Sequence, residues 1–312
     1  MELEKNYRIY ITGYTGMVGV RLLRYLENNG YNNLITTSSS SLDLRNQKKV
    51  DEFFNKENPQ IVIHLAAKVG GIASNIKYPA EYLYDNLMMQ TNVIHSAHKY
   101  NCEKLVFLGS SCIYPRETPQ PMKEEYLMTG KLEPTNKSYA VAKIAGIQMC
   151  QAYHSQYNSN FISLIPCNLY GPGDHYGNFN SHVMAALLDR FHKAKIKNKN
   201  KVIVWGSGNP RREFLFVDDL VSAILFLLKN YNDPSIINVG TGTDISIKNL
   251  AYKIKAIVGF EGKIEFDETK PDGMMKKLLD VSKIEKLGWK AETDLDIGIK
   301  KSYKSYLEKY KE

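Results

Sequence analysis

Tyr139 and Lys143 stand four residues apart, on one face of a predicted helix. An ammonium beside a phenol favours phenolate and is expected to lower the tyrosine pKa from ~10. A phenol tuned in that way hands a proton to a carbonyl oxygen as a hydride reaches the carbon. The spacing alone is cheap. Tyr100 and Lys104 repeat it across a predicted helix–strand junction at Asn101, and a surface i,i+4 pair would read the same way. What distinguishes Tyr139 and Lys143 is their company. Ser110 and Ser111 end the preceding predicted strand, within GSSC (109–112), and open parallel sheets bind ligands beyond the carboxyl ends of their strands. A serine there polarises a substrate carbonyl, or it is a turn or cap residue.

Gly13, Gly16 and Gly19 form a G-x-x-G-x-x-G run directly after the first predicted strand, opening the first helix. Glycines in that place allow a tight turn and let backbone N–H groups approach a pyrophosphate at a helix N-terminus. A plain structural turn uses the same residues, but the strand–loop–helix setting favours a dinucleotide. The second predicted strand ends in Thr36, Thr37 and four serines (38–41), with neither the acid that selects NAD nor an arginine for a 2′-phosphate. Hydroxyls without a repelling carboxylate lean towards NADP(H), with NAD(H) left open.

These groups need elements to hold them. Strands are predicted at 8–12, 33–37, 60–67, 104–111 and 161–166, and helices at 18–28, 44–55, 81–100 and 138–157. The third and fourth strands are apolar on both faces, as in the middle of a covered parallel sheet. After Gly171-Pro172 the rhythm loosens. Helices are predicted at 182–195, 218–229, 246–258 and 296–310, with strands at 202–205 and 236–239. The expected fold is α/β: a Rossmann-type doubly wound parallel sheet with a smaller C-terminal α/β substrate domain. The dinucleotide-binding domain is expected at 1–172, with returns from about 202–245, and the substrate domain mainly at 173–312.

Composition narrows the class. The 312 residues are 43% hydrophobic and 24% charged, which excludes disordered, collagen-like and disulfide-scaffold chains. The net charge of +8 favours anionic partners such as phosphates. The alternating lysines from 193 to 201 lack interleaved aromatics and read as a solvated loop, so no nucleic-acid partner is expected. None of the four cysteines has C-x-x-C spacing, no signal peptide is read at the N-terminus, and the apolar run 220–228 is too short to cross a bilayer. A reduced, cytoplasmic chain without membrane contact is expected. His95, His98 and Cys102 are spaced at i, i+3 and i+7 without a fourth ligand, and no metal site is expected.

The sequence resembles the extended short-chain dehydrogenase/reductase superfamily and, more narrowly, the GDP-L-fucose synthase family of GDP-4-keto-6-deoxymannose 3,5-epimerase/4-reductases. The resemblance runs from residue 9 to about 307. It rests on AAKVGGI (66–72), GSSCIYP (109–115), EPTN followed by YA and AKIAG (133–146), NLYGP (168–172), NSHV (180–183), VWGSG (204–208), REF with VDD (212–219), NVGTG (238–242) and KPDG (270–273).

The resemblance implies Ser110, Tyr139 and Lys143 as the reductase triad, and Cys112 with His182 as the acid/base pair for epimerisation at C3 and C5. By themselves Cys112 reads as a buried thiol and His182 as a structural histidine. It implies cofactor contacts from Gly13, Gly16, Met17, Val18, Gly19, Ser39, Leu42, Asp43, Leu108, Gly109, Lys143, Pro166, Asn168, Leu169 and His182. For the GDP-4-keto sugar it implies Arg190, Trp205, Arg212, Asp272 and Lys277. It also implies a homodimer pairing the helices at 81–100 and 138–157. The chain departs from the family pattern by carrying Thr15 and the serines 38–41 where arginines are common, and in its loop 173–179. Three readings follow: a dual epimerase/reductase, a C4 reductase acting on a related GDP-4-keto hexose or heptose, and a cofactor-binding sensor without catalysis.

Overall fold

The computed structural model of the chain describes residues 3–177, 181–270 and 272–309. Its first half runs β1 (Ile9–Thr12), α1 (Met17–Asn28), β2 (Leu34–Thr36), α2 (Gln47–Glu57), β3 (Ile61–His64), α3 (Ile72–Lys77), α4 (Pro79–Lys99) and β4 (Lys104–Leu108). Short 3-10 turns at 111–113, 124–126 and 134–136 lead into α5 (Lys137–Tyr157), β5 (Phe161–Pro166) and β6 (Asn168–Tyr170). Then come α6 (Val183–Ile196), β7 (Lys201–Trp205), β8 (Arg211–Arg212), β9 (Phe214–Phe216), α7 (Val217–Asn230) and β10 (Ile237–Val239). The chain finishes with β11 (Ile245–Ser246), α8 (Ile247–Val258), β12 (Lys263–Asp267), β13 (Lys276–Lys277), α9 (Ser282–Lys286) and α10 (Leu295–Lys309).

Among the described residues the central sheet has six parallel strands in the order β10-β5-β4-β3-β1-β2. Every residue of β1, β3 and β5 is buried, as the doubly apolar runs require of strands covered on both faces. Helix α1 packs beside α7, while α4 lies against α2 and α5. A second core gathers Tyr170, Met184, Leu188, Phe191, Val202, Val204, Leu250, Ile254 and Tyr306 from β6, α6, β7, α8 and α10. The chain order therefore interleaves the two cores, and the expected return at 202–245 is narrower than that range. Val202 and Val204 pair with β12 in a separate two-stranded sheet, and only β10 rejoins the central one. Strand β7 alternates exposed and buried residues, a pattern suited to a small one-sided sheet and not to a doubly covered one.

Predicted strands at 60–67 and 104–111 are shorter in the structure, ending at His64 and Leu108, because the chain there leaves the sheet to form the crevice wall. The sequence reading missed α3. Its six residues have no apolar periodicity, and Ile72 and Ile76 are both exposed. The lysine run is not one loop: Lys193 and Lys195 sit in the last turns of α6, and Lys201 opens β7. His95 and His98 bond Tyr153 and Ser159, and the Cys102 thiol faces the carbonyls of Gln60 and Lys104. Asn178, Phe179, Asn180, Pro271 and Tyr310, which fall in predicted motifs, lie outside the described residues. Among the described residues no helix is long and apolar enough to cross a membrane.

Candidate active site

The glycine loop has the shape its spacing predicts. Gly13 adopts φ +68°, and a Cβ there would stand 2.8 Å from the Ala66 backbone nitrogen. At Gly19 a Cβ would lie 2.4 Å from the Gly13 carbonyl oxygen. Gly16 caps α1 without a side-chain bond, and no acid occupies the first turn. The helix thus offers the N–H groups of Met17 and Val18 and the positive end of its dipole to an anion. Beyond β2, Ser38 Oγ bonds Ser40 Oγ at 2.8 Å and Ser41 Oγ at 3.1 Å, leaving an exposed turn rich in hydroxyls beside Ser39. Leu42 is buried, while Asp43 is held by Arg45, with Nε to Oδ1 at 3.0 Å. A backbone cradle that only glycine can line fits a dinucleotide pyrophosphate.

A second feature of this crevice was not anticipated. Thr12 Oγ1 accepts the N–H groups of Leu65 and Ala66 at 3.1 and 3.0 Å, so its own proton goes to His64 Nδ1 at 2.9 Å. The buried imidazole is then neutral with its proton on Nε2. Burial first, and then the charge of Lys143, pushes its pKa down to about 3. This bond fixes the end of β3 against the glycine loop. The sequence signal was available, a histidine closing an apolar strand, but its partner lies 52 residues away.

At the end of β4, Ser110 caps the 3-10 turn 111–113 and its Oγ accepts from the Cys112 N–H at 3.4 Å. The first two turns of α5 bring Tyr139 and Lys143 to the same place. Lys143 is buried, and its Nζ donates to the Leu108 carbonyl at 2.8 Å. The same Nζ lies 4.7 Å from the Phe107 ring centroid and 5.9 Å from that of Tyr139. Tyr82 from α4 meets the Tyr139 ring edge-on at 6.3 Å, and Ser74 of α3 bonds the Tyr82 hydroxyl at 2.9 Å. Tyr82 and Ser74, which no sequence motif marks, stand beside this pair after the loop at 66–72 that carries AAKVGGI.

The structure corrects one expectation about this pair. Lys143 does not draw the Tyr139 phenol into the acid range. Burial, with Cys112 and Tyr82 adding to it, raises the phenol above its ordinary value of 10. The ammonium is turned towards Leu108 and is itself lowered by burial to about 8. The phenol is therefore a firmly protonated O–H at neutral pH, and the lysine is still a cation.

Cys112 lies within electrostatic reach of Tyr139, Lys143 and Lys277. Burial raises its thiol pKa, against the pull of Lys277, Ser110 and Lys143. His182 is the cap residue of α6, and its imidazole is lowered by withdrawal from water and then by His175 and Lys277. Lys277 thus stands in the field of both members of the Cys112/His182 pair. Of the cofactor-side residues, Gly109 is packed so that a Cβ would sit 2.5 Å from Ile165 Cδ1, beside buried Pro166 on β5. Asn168 Nδ2 donates to the Glu213 carbonyl at 2.8 Å, and Leu169 pairs with Leu215 in the short β6–β9 sheet.

The remaining cations and aromatic form a strip on the second core. Arg190 of α6 donates to the Ile203 carbonyl at 2.6 Å, and Trp205 at the end of the same strand is 63% exposed. Asp272 accepts from Ser207 N at 2.8 Å and Ser207 Oγ at 2.7 Å, so its carboxylate is already committed to the turn after β7. Gly273 follows, and a Cβ there would stand 3.8 Å from the Arg212 guanidinium. Arg212 and Lys277 are register partners across parallel β8 and β13. Arg212 and Lys277, far apart in sequence, thus form one edge, whose Lys277 lies within electrostatic reach of Cys112. Its missed member is Glu213, buried beside Arg212.

Residues 9–240 match the model of the NAD dependent epimerase/dehydratase family. GDP-L-fucose synthase 1 of Arabidopsis thaliana is 49% identical over 304 residues, covering 97% of this chain and 94% of its own. The crystal structure of a GDP-6-OMe-4-keto-L-xylo-heptose reductase from C. jejuni superposes with TM-score 0.94 at 38% identity, covering 99% and 100% of the two chains. A GDP-L-fucose synthetase from Naegleria fowleri bound to NADP gives TM-score 0.91 at 28% identity, covering 100% and 97%. With a parallel six-stranded sheet, a glycine cradle at its first helix and these relatives along its whole length, the chain belongs to the NAD dependent epimerase/dehydratase family, in its GDP-L-fucose synthase branch.

Proposed function

We propose that the protein converts a GDP-4-keto-6-deoxy sugar to a GDP-L-fucose-type product, by epimerisation at C3 and C5 and reduction of the C4 ketone with NADPH. One observation carries this reading: Ser110, Cys112, Tyr139 and Lys143 converge beyond β4, with the Arg212–Lys277 edge alongside. The N–H groups after Gly16, with the hydroxyl turn at 38–41 and the 108–109 and 166–169 segments, would hold the cofactor, which supplies a hydride when bound. Arg212 and Lys277 neutralise the diphosphate, and Arg190 and Trp205 flank the nucleotide.

Protons next to a ketone are acidic, so C3 and C5 of a 4-keto sugar exchange through an enolate. The Cys112 thiol is protonated at rest and the His182 imidazole is neutral, so the pair holds one proton to give and one nitrogen to receive. Ser110 bonds the carbonyl oxygen and steadies the enolate charge. When C4 is reduced, Tyr139 donates its phenolic proton to the oxygen as the alkoxide forms. Lys143 supplies positive charge below the phenol and keeps spare N–H groups for a ribose.

The second reading, a C4 reductase without epimerisation, is favoured by the heptose reductase likeness. Incubation with GDP-4-keto-6-deoxymannose in D₂O without reductant separates the two. Deuterium at C3 and C5, lost in Cys112→Ala, is expected; reduction without any exchange would leave the reductase reading standing. No oxidation of NADPH with either a hexose or a heptose substrate would defeat both. Helices α4 and α5 pack side by side and leave Tyr84, Val141 and Tyr157 exposed, which supports a homodimer through this face.

A further inference from the structure

Glu213 is fully buried between β8 and β9, next to Arg212. Its Oε1 accepts the N–H groups of Thr241 at 2.6 Å and Gly242 at 2.8 Å, and its Oε2 accepts the Leu279 N–H at 2.9 Å. Its backbone carbonyl takes the Asn168 side-chain amide at 2.8 Å. These partners come from different walls. Thr241 and Gly242 follow β10, the edge strand of the central sheet. Leu279 lies two residues beyond Lys277 on β13. Asn168 opens β6, in the stretch expected to line the cofactor. Gly240 makes room for the carboxylate, since a Cβ there would sit 2.3 Å from Oε1.

The geometry points to Glu213 as a positioning residue that sets Arg212 and Lys277 side by side as one diphosphate-binding pair, and anchors that pair to the central sheet. The inference rests on the proposed nucleotide-sugar reading and deepens it. The physical ground is that β8 and β13 are two residues long each. Two backbone pairs, Lys276 with Arg211 and Lys277 with Arg212, are too few to hold a register by themselves. The segment after β13 is also held by a bridge between Met122 and Leu279, but among the described residues only the buried Glu213 side chain ties it to the Thr241–Gly242 segment as well, through bonds from backbone N–H groups that fix its orientation. Glu213 touches neither reacting atom, so it acts only through the cations it aligns.

The test measures GDP binding and NADPH binding separately, by calorimetry on the full chain. Glu213→Gln turns an amine towards one of the backbone donors, and Glu213→Asp retains charge but withdraws it by a methylene. Both variants are expected to weaken GDP binding about tenfold or more while NADPH affinity stays within about twofold of wild type. In an Arg212→Ala/Lys277→Ala background the same substitution is expected to cost less than about twofold, because there is no pair left to align. With substrate, KM should rise while kcat stays within about threefold. Unchanged GDP affinity overturns the inference. So do equal losses of GDP and NADPH affinity, an undiminished loss in the cation-free background, or failure of both variants to fold, since each would make Glu213 a general structural group. Wild-type protein that binds no GDP would instead defeat the nucleotide-sugar reading itself.

Discussion

The chain carries the same four-residue spacing twice, and the two copies have different fates. Tyr139 and Lys143 share the start of α5, where both side chains reach the end of β4. Tyr100 closes α4, Asn101 turns the chain with φ +53°, and Lys104 begins β4 on the opposite end of the sheet. Both lysines are buried. Lys104 Nζ donates to the carbonyls of Leu227, Leu228 and Tyr231 and to Asn232 Oδ1, at 3.2, 2.7, 2.5 and 2.9 Å. It closes the C-terminal end of α7, adding to the Tyr231 N–H at the Leu227 carbonyl and capping the carbonyls of Leu228 and Tyr231. Lys143 has one described acceptor, Leu108 O, and two aromatic rings. An ammonium has three N–H groups. The fold saturates Lys104, whereas Lys143 keeps N–H groups that no described acceptor takes, as its proposed role requires. The number of acceptors the fold already supplies, and not the spacing, separates the two lysines.

The largest way to break this comparison is Tyr139→Phe. Loss of the general acid should lower kcat for ketone reduction about a thousandfold, ~4 kcal/mol of barrier. The melting temperature should stay within about 1 °C, since no described hydrogen bond uses that hydroxyl. Wild-type turnover in this variant, measured by NADPH oxidation, would remove the phenol from the mechanism.

Next is Lys104→Met. It leaves the end carbonyls of α7 without their cation, and should cost about 3 kcal/mol of stability. For a chain of this size that corresponds to a melting temperature lower by about 5 °C. Turnover per folded molecule should be unchanged. The matching Lys143→Met should do the reverse, cutting turnover strongly and stability little. If both variants lose the same property, the acceptor-count argument fails.

The third is a pH profile. Burial lowers Lys143 to about 8, so at pH 7 the group is charged and above pH 8 the charge is lost. Reduction should then fall by about tenfold per pH unit on the alkaline side. Arginine stays protonated throughout, so Lys143→Arg, though less active, should hold its rate flat to about pH 10. An alkaline limb that does not move in this variant belongs to another group.

Much of this was legible from residues alone. The doubly apolar runs at 60–67 and 104–111 announced buried parallel strands, because only a sheet covered on both faces tolerates them, and the structure forms them at 61–64 and 104–108. Ser110, Tyr139 and Lys143 could be grouped, because strand ends and helix faces convert spacing into direction; Cys112 joined them only through the family resemblance. The state of the phenol could not be read. Local charge suggested an acidified tyrosine, but Tyr82 and the fold around it arrive from 57 residues away and burial outweighs the ammonium. Glu213 was hidden for the same reason. Its donors at 241, 242 and 279 are set by tertiary structure, and a lone glutamate between Arg212 and Phe214 looks like a surface charge. Asp272 was named only through the family resemblance, and its bonds to Ser207 N and Oγ depend on a turn that the sequence does not mark.

The smallest effect is the sharpest control. Tyr100 caps α4 from its backbone, and its ring lies 5.1 Å from Lys99 Nζ near the Lys99–Asp51 ion pair. Both charges of that pair are well exposed, so the contact is screened by water. Tyr100→Phe keeps the ring and removes only the hydroxyl. Stability should change by no more than about 0.5 kcal/mol, and the rate of ketone reduction should be indistinguishable from wild type. A measurable loss of turnover would mean that the α4 end communicates with the crevice, and the two tyrosine–lysine pairs would no longer be separable into one that builds the sheet and one that serves the substrate.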